Sequence, residues 1–126
     1  MLSPDRIHDI AAGFHASEVL FAALELGLFT ELGKGPRSYE QLRRALRLSE
    51  RAAPQFLEAL VALDLLRREG AGAEAIFLNT RESAHFLDSR SPAYIGLELR
   101  SAHVRLAPLW RALTESVRGG EPMIAG

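Results

Sequence analysis

The chain has 126 residues, a mass of 13.8 kDa and a formal net charge of −1, which is the size of one ordinary domain. Hydrophobic residues make up 48% and charged residues 25%, which excludes a disordered chain, and the absence of cysteine excludes disulfide frameworks, cysteine-zinc sites and thiol catalysis. No apolar run is long enough to span a bilayer and the N-terminus lacks a signal-peptide pattern, so we expect a cytoplasmic protein without membrane contact.

Two helices are predicted at the N-terminus. Ser3 as N-cap and Pro4 at the first helical position predict a first helix that reaches about His15. A second helix is predicted from about Ala16 to Leu26, where Gly27 ends it. Apolar residues surround this second helix on nearly all sides, which indicates burial on more than one side. In a chain this small, such a helix favours a partner surface.

A helix-turn-helix unit is predicted next. Ser38 and Gln41 have the spacing of a capping box, in which the two side chains satisfy each other's backbone N–H groups, and they open a short helix. After a tight turn, Ser49 can cap a second helix that reaches about Leu65. Pro54 indicates that the regular part of this helix begins late, because a missing N–H is tolerated best in the first turn.

A β-hairpin is predicted directly after the helix-turn-helix. The runs Leu66–Glu69 and Ala75–Asn79 flank a glycine-rich loop, which is typical of two short antiparallel strands. A helix-turn-helix followed by a hairpin is the pattern of a winged helix. Thr80 can then cap a short helix that ends near Leu87.

A long helix is predicted from about Ala93 to Val117, with a break at Gly96 and a kink at Pro108. Leucines recur along it at alternating spacings of three and four, which is typical of a seam that packs against another helix. The sequence therefore predicts a mainly α, winged-helix-like domain over residues 1–118, with a small β-hairpin and a long C-terminal helix. Residues 119–126, which begin Gly-Gly-Glu-Pro, are predicted to start an interdomain linker.

No pattern of catalytic, cofactor-binding or metal-binding residues is present. The closely spaced glycines are not in a phosphate-binding arrangement between a strand and a helix. His8, His15, His85 and His103 are scattered, with no pair at a spacing of four, so we assign no metal site. The serines lack a nucleophile-elbow context.

A DNA-binding function is the first alternative for a winged helix. The predicted recognition helix carries two more acidic than basic side chains and offers few groups that read base edges. Arg43, Arg44 and Arg67 could contact phosphates, but the overall charge of −1 disfavours a nucleic-acid partner. A stand-alone DNA-binding regulator therefore stays open only as an alternative.

The ordered set of segments resembles the N-terminal dimerisation domain of S-adenosylmethionine-dependent O-methyltransferases, which include acetylserotonin, plant caffeate-type and bacterial natural-product enzymes. The resemblance covers about residues 10–122, and no single motif is diagnostic. It depends on the order of these segments: Phe14–Leu20, Leu26–Phe29, Phe56–Leu66, Asn79–Leu87, Ser91–Gly96, Leu109–Leu113 and Gly119–Pro122.

The resemblance implies a winged-helix-like domain that forms homodimers and helps to line the partner's substrate pocket. For the full-length family it implies S-adenosylmethionine as cofactor, bound by a Rossmann-type domain whose glycine motif and catalytic histidine segment are expected after residue 126. No catalytic or cofactor-binding residue is therefore carried over to this chain, and methyl transfer by these residues alone is not expected. A small-ligand-binding dimer without catalytic activity is the second alternative.

Two sets of residues follow from the apolar patterns and the resemblance. A substrate-pocket wall for an aromatic small molecule is predicted at Phe14, His103, Leu106 and Trp110. A dimer interface is predicted at Leu20, Phe21, Leu24, Leu99, Leu106, Leu109 and Leu113.

Overall fold

The computed structural model describes residues 1–120, which divide into a first compact unit that ends at Tyr94 and a second that begins at Ile95. The elements of the first unit are α1 Asp5–Ala11, α2 Phe14–Leu26, α3 Leu28–Leu32, β1 Arg37–Ser38, α4 Tyr39–Leu46, α5 Ala53–Ala62, β2 Leu66–Glu69, β3 Ile76–Asn79 and α6 Arg81–Phe86. The second unit contains α7 Gly96–Arg111 and α8 Leu113–Gly119. The mainly α, winged-helix-like prediction is confirmed.

The predicted hairpin is present and is part of a three-stranded antiparallel sheet. Strands β2 and β3 pair from Leu66 opposite Asn79 to Glu69 opposite Ile76. The order β1-β3-β2 places β3 at the centre, with Arg37 of β1 opposite Phe77. The sequence did not predict β1, because two residues carry no alternating pattern.

Side-chain caps fix two helix starts, those of α4 and α6, where they were predicted. The cap predicted at Ser49 is wrong, since the N-cap of α5 is Ala52 and has no side-chain hydrogen bond. The Ser38 hydroxyl accepts a hydrogen bond from the Gln41 N–H at 3.1 Å, and the Gln41 side chain accepts one from the Ser38 N–H at 2.9 Å. This is the predicted capping box of α4. The Thr80 hydroxyl likewise accepts from the Ser83 N–H at 3.4 Å and opens α6. Pro54 lies in the first turn of α5, so the late start of this helix is confirmed.

The two N-terminal helices differ in their bounds from the prediction. The first ends at Ala11, and α2 already begins at Phe14. The N-cap of α1 is Pro4, although the Ser3 hydroxyl accepts a hydrogen bond from the Asp5 N–H at 3.2 Å. Gly27 ends α2 with a left-handed backbone (φ 74°), which a residue without Cβ adopts easily.

The core of the first unit lies between helices α2 to α6 and one face of the sheet. The largest fully buried side chains belong to residues spread over five elements: Leu28, Phe29, Leu42, Leu57, Leu60, Leu66 and Ser83. The Asn79 side chain joins β3 to α3, since its amide donates a hydrogen bond to the Phe29 carbonyl at 2.9 Å. This core fixes the helix-turn-helix against the hairpin.

The long C-terminal helix of the prediction is two helices. It begins at Gly96 rather than Ala93, and Ala112 separates α7 from α8. Pro108 lies inside α7, and the Ala112 N–H bonds the carbonyls of both Pro108 and Leu109, so the interruption follows the proline by one turn. The predicted linker falls largely on residues 121–126, which lie outside the described residues. Within the described residues, no helix is both long and apolar enough to cross a membrane.

Candidate functional site

An N-terminal arm, defined as residues 1–18, has no buried side chain. Three large apolar side chains of the arm lie at helical spacings of three and four, and Ile7, Ile10 and Phe14 are 69%, 67% and 62% exposed. A helix of seven residues is not stable in water by itself. Because the first unit buries no side chain of α1, the arm lacks the packing that normally stabilises so short a helix.

The second half of α2 is packed into the first unit. Of the predicted interface residues on this helix, Leu20 and Phe21 are half-buried, whereas Leu24 is only 5% exposed. Leu24 therefore belongs to the chain's own core and presents almost no surface to a partner. The apolar residues of α2 therefore fall into two groups. Ala23 and Leu24 are buried in the core, whereas Leu20 and Phe21 keep part of their surface exposed.

The other predicted interface and pocket residues lie on α7 and α8. Leu99, Leu106, Leu109 and Leu113 are all half-buried in the described structure. His103, Leu106 and Trp110 follow one another at spacings of three and four along α7, which places them on one face of that helix. Trp110 is 45% exposed. Phe14 belongs to the first unit, and its predicted role with these residues stays a prediction.

The arginines that could contact DNA phosphates are engaged in ion pairs. Arg43 donates from Nε to Glu40 at 3.2 Å and approaches the Glu50 carboxylate at 3.5 Å. Arg44 pairs with Glu40 at 3.2 Å, and Arg67 pairs with Glu69 at 3.0 Å.

Hydrogen bonds from Arg43 hold the pKa of Glu40 below its usual 4.5, and Glu40 in turn raises the pKa of Arg43. The carboxylates of Glu40, Glu50 and Glu69 would repel a phosphate group at the same surface.

Residues 1–120 offer no glycine-rich cradle for S-adenosylmethionine between a strand and a helix. The two junctions from a strand to a helix run through Ser38 and Thr80 and contain no glycine, and at α4 the capping box already uses the N–H groups of Ser38 and Gln41. Gly27, Gly70 and Gly72 have left-handed backbones in turns outside these junctions. Among the described residues, no group of three or more histidine or acidic side chains could hold a metal ion.

This geometry defines a winged-helix-like domain with exposed apolar side chains on its N-terminal arm. Such a surface is typical of a protein-association module. The family model of the O-methyltransferase dimerisation domain matches residues 8–89. The chain belongs to this family, as the order of its segments indicated.

Relatives of known description agree with this assignment. The chain is 39% identical over 121 residues to the tetracenomycin polyketide synthesis 8-O-methyl transferase TcmO of Streptomyces glaucescens, covering 96% of this chain and 35% of that protein. It is 32% identical over 112 residues to the N,N-dimethyltransferase OxyT of Streptomyces rimosus, covering 89% and 31%.

The solved structure of human N-acetylserotonin methyltransferase in complex with S-adenosylmethionine superposes with a TM-score of 0.85 and 33% identity. It covers 92% of this chain and 34% of that one. The chain thus spans about a third of the length of the relatives that it matches.

Proposed function

We propose that this chain forms a homodimer and serves as the association module of a small-molecule methyltransferase that uses S-adenosylmethionine. The observation that carries the proposal is the N-terminal arm, whose apolar side chains have no cover in the described structure. A second copy is the partner of matching chemistry, because a two-fold axis lets the same apolar surface cover itself.

The energetics of the arm are consistent with a dimer that also uses α2. Full burial of a large apolar side chain contributes about 1.5–3 kcal/mol, so covering the exposed parts of Ile7, Ile10 and Phe14 contributes about 4 kcal/mol per copy. Loss of rigid-body freedom on association opposes this by about 4–15 kcal/mol. The two arms alone therefore reach only the lower part of that range. Leu20 and Phe21, half-buried on α2, extend the same surface and are assigned to the interface.

The dimer is tested by light scattering after gel filtration, across a dilution series to low micromolar. We expect about twice 13.8 kDa for the wild-type chain and about 13.8 kDa, the mass of the monomer, for Ile10→Glu. Ile10 is largely exposed, so the folded unit should keep its helical circular dichroism. Ala71→Glu, an equally charged change on an exposed turn, is the matched control and should stay dimeric. A monomeric wild-type chain, or a dimeric Ile10→Glu variant, would contradict the proposal.

Within the assembled enzyme we assign the face of α7 that carries His103, Leu106 and Trp110 to the wall of an aromatic substrate pocket. Two observations support this assignment. The three residues share one face of α7, and relatives are named for the methylation of aromatic compounds, among them a 3-hydroxy-5-methyl-1-naphthoate 3-O-methyltransferase of Streptomyces sahachiroi. OxyT is an N,N-dimethyltransferase. This domain therefore does not decide whether oxygen or nitrogen accepts the methyl group.

Trp110 is the single tryptophan and reports on this face directly. We expect apigenin, a flat polyphenol, to quench its emission saturably, and Leu106→Ala to weaken that binding at least fivefold. Arg105→Ala changes an exposed neighbour on another side of α7 and should leave the affinity within twofold. Linear, unsaturable quenching would contradict the assignment.

A further inference from the structure

A cavity of about 610 Å³ lies between the helix-turn-helix and the hairpin of the first unit. Its volume falls within the range of about 300–1,000 Å³ that is usual for small-molecule sites. The proposed dimerisation makes no use of it. The residues that define it come from α4, α5, β2, β3 and the turn before β3: Tyr39, Pro54, Glu58, Arg68, Ala75 and Phe77.

The apolar walls of this hairpin cavity are held in place by the fold. Tyr39 is the first residue of α4, and its hydroxyl donates a hydrogen bond to the Glu50 carbonyl at 3.2 Å, across the turn to α5. Phe77 lies on the central strand and Ala75 precedes that strand, and both are buried. The Tyr39 ring and the buried floor beneath it are therefore positioned before any ligand arrives, which reduces the entropy lost on binding.

The charges at the hairpin cavity are already compensated within the chain. Glu58 of α5 forms an ion pair with Arg68 of β2. Glu40, the other carboxylate that lines the cavity, is bound by Arg43 and Arg44. A charged ligand would have to break one of these pairs, whereas a neutral one would leave them intact and could exchange hydrogen bonds with Glu58 and Arg68.

We propose that the hairpin cavity binds a neutral, aromatic small molecule, with its rings against Tyr39 and Pro54 and a hydroxyl or amine substituent near the Glu58–Arg68 pair. The site is complete within one copy of the chain. It therefore does not depend on the proposed dimer.

The fluorescent probe N-phenyl-1-naphthylamine, which is neutral and aromatic, tests this site by titration of the whole chain. Ala73 lines the cavity from the exposed hairpin turn, so the indole of Ala73→Trp should occupy part of the cavity and weaken probe binding at least tenfold. Ala71 lies two residues earlier in the same turn and does not line the cavity, so Ala71→Trp should stay within twofold. Amide shifts in a ¹H–¹⁵N spectrum, expected at Ala75 and Phe77, locate the probe without any substitution.

A second variant tests the argument from charge. Glu58→Gln leaves the Arg68 guanidinium without its carboxylate, so binding of the anionic probe 8-anilinonaphthalene-1-sulfonate should strengthen at least threefold while the neutral probe stays within twofold. Ile10→Glu should leave both affinities unchanged, because the arm lies outside the cavity. Absence of saturable binding of the neutral probe, no effect of Ala73→Trp, or loss of binding in Ile10→Glu would each overturn the proposal.

Discussion

Gly33→Ala is expected to destabilise the first unit although the backbone at this position suits alanine. Gly33 follows α3 with φ −63°, an ordinary helical value. A Cβ at this position would lie 2.0 Å from Oδ2 and 2.9 Å from Cγ of Asp88, and 2.7 Å from Nη2 of Arg90. These distances are well below van der Waals contact, so the Asp88 and Arg90 side chains would have to move.

The magnitude follows from what Asp88 loses when it moves. Asp88 is 7% exposed, and its Oδ1 accepts a hydrogen bond from the Arg90 N–H at 2.9 Å. A hydrogen bond to a charged group contributes about 1.5–3 kcal/mol. The reduced entropy of an unfolded chain with alanine returns about 0.4–1 kcal/mol. We therefore expect a net loss of about 1–2 kcal/mol, which lowers Tm by about 3–8 °C in a chain of this size.

Thermal unfolding at one fixed protein concentration measures this loss, since the Tm of a dimer depends on concentration. Gly119→Ala is the matched control: it lies at the end of α8 with no neighbour within 4 Å of the added Cβ, and should leave Tm unchanged or slightly raised. In an Asp88→Ala background, Gly33→Ala should destabilise much less, because the carboxylate is gone and the flexible Arg90 side chain, no longer paired with it, can move aside. A Gly33→Ala variant as stable as wild type with Asp88 intact would refute the reasoning.

Leu57→Ala removes a side chain with no exposed surface and should lower the free energy of unfolding by about 2–5 kcal/mol in urea denaturation, where an unchanged midpoint would contradict its place in the core. Ser38→Ala removes one half of the capping box with Gln41 and should lower it by about 1 kcal/mol, a loss that Ser38→Asp should largely restore. Glu40→Gln tests how the stability of the fold depends on pH. The hydrogen bond from Arg43 lowers the pKa of Glu40 in the folded chain. The stability that Glu40 contributes is therefore present above its ordinary pKa of 4.5 and is lost as the pH falls through the folded-state pKa. The Tm difference between wild type and Glu40→Gln should therefore shrink from pH 7 to pH 3, and a constant difference would show that the ion pair does not couple to folding.

Features that depend on neighbouring residues could be predicted from the sequence. The capping pair Ser38 and Gln41, the cap at Thr80 and the proline in the first turn of α5 act over three or four residues, so their spacing alone identifies them. Strand β1 could not be found in this way. It consists of two residues that become a strand only because Phe77 and Ile76 pair with them across the sheet.

The sequence could not separate core residues from surface residues within the predicted interface, for a physical reason. Periodicity shows which residues are apolar, but not whether the chain's own core or a partner covers them. Leu20 and Leu24 lie one helical turn apart on α2, and the sequence pattern does not distinguish them. In the structure Leu24 is buried in the core, whereas Leu20 is only half-buried. Ile7 and Ile10 satisfied the pattern of an ordinary amphipathic helix, and only the structure shows that this helix buries nothing.

In this chain the distribution of charged and apolar side chains on the winged-helix-like fold favours association with a protein over binding to DNA. A DNA-binding surface needs cations that are free to replace counterions on phosphate. In this chain, Arg43, Arg44, Arg67 and Arg68 lie against carboxylates of their own surface. Each of these pairs would have to open before a phosphate could bind. The exposed apolar side chains of the arm, by contrast, are stabilised by any apolar cover, so the balance of free energy on this molecule favours a protein partner.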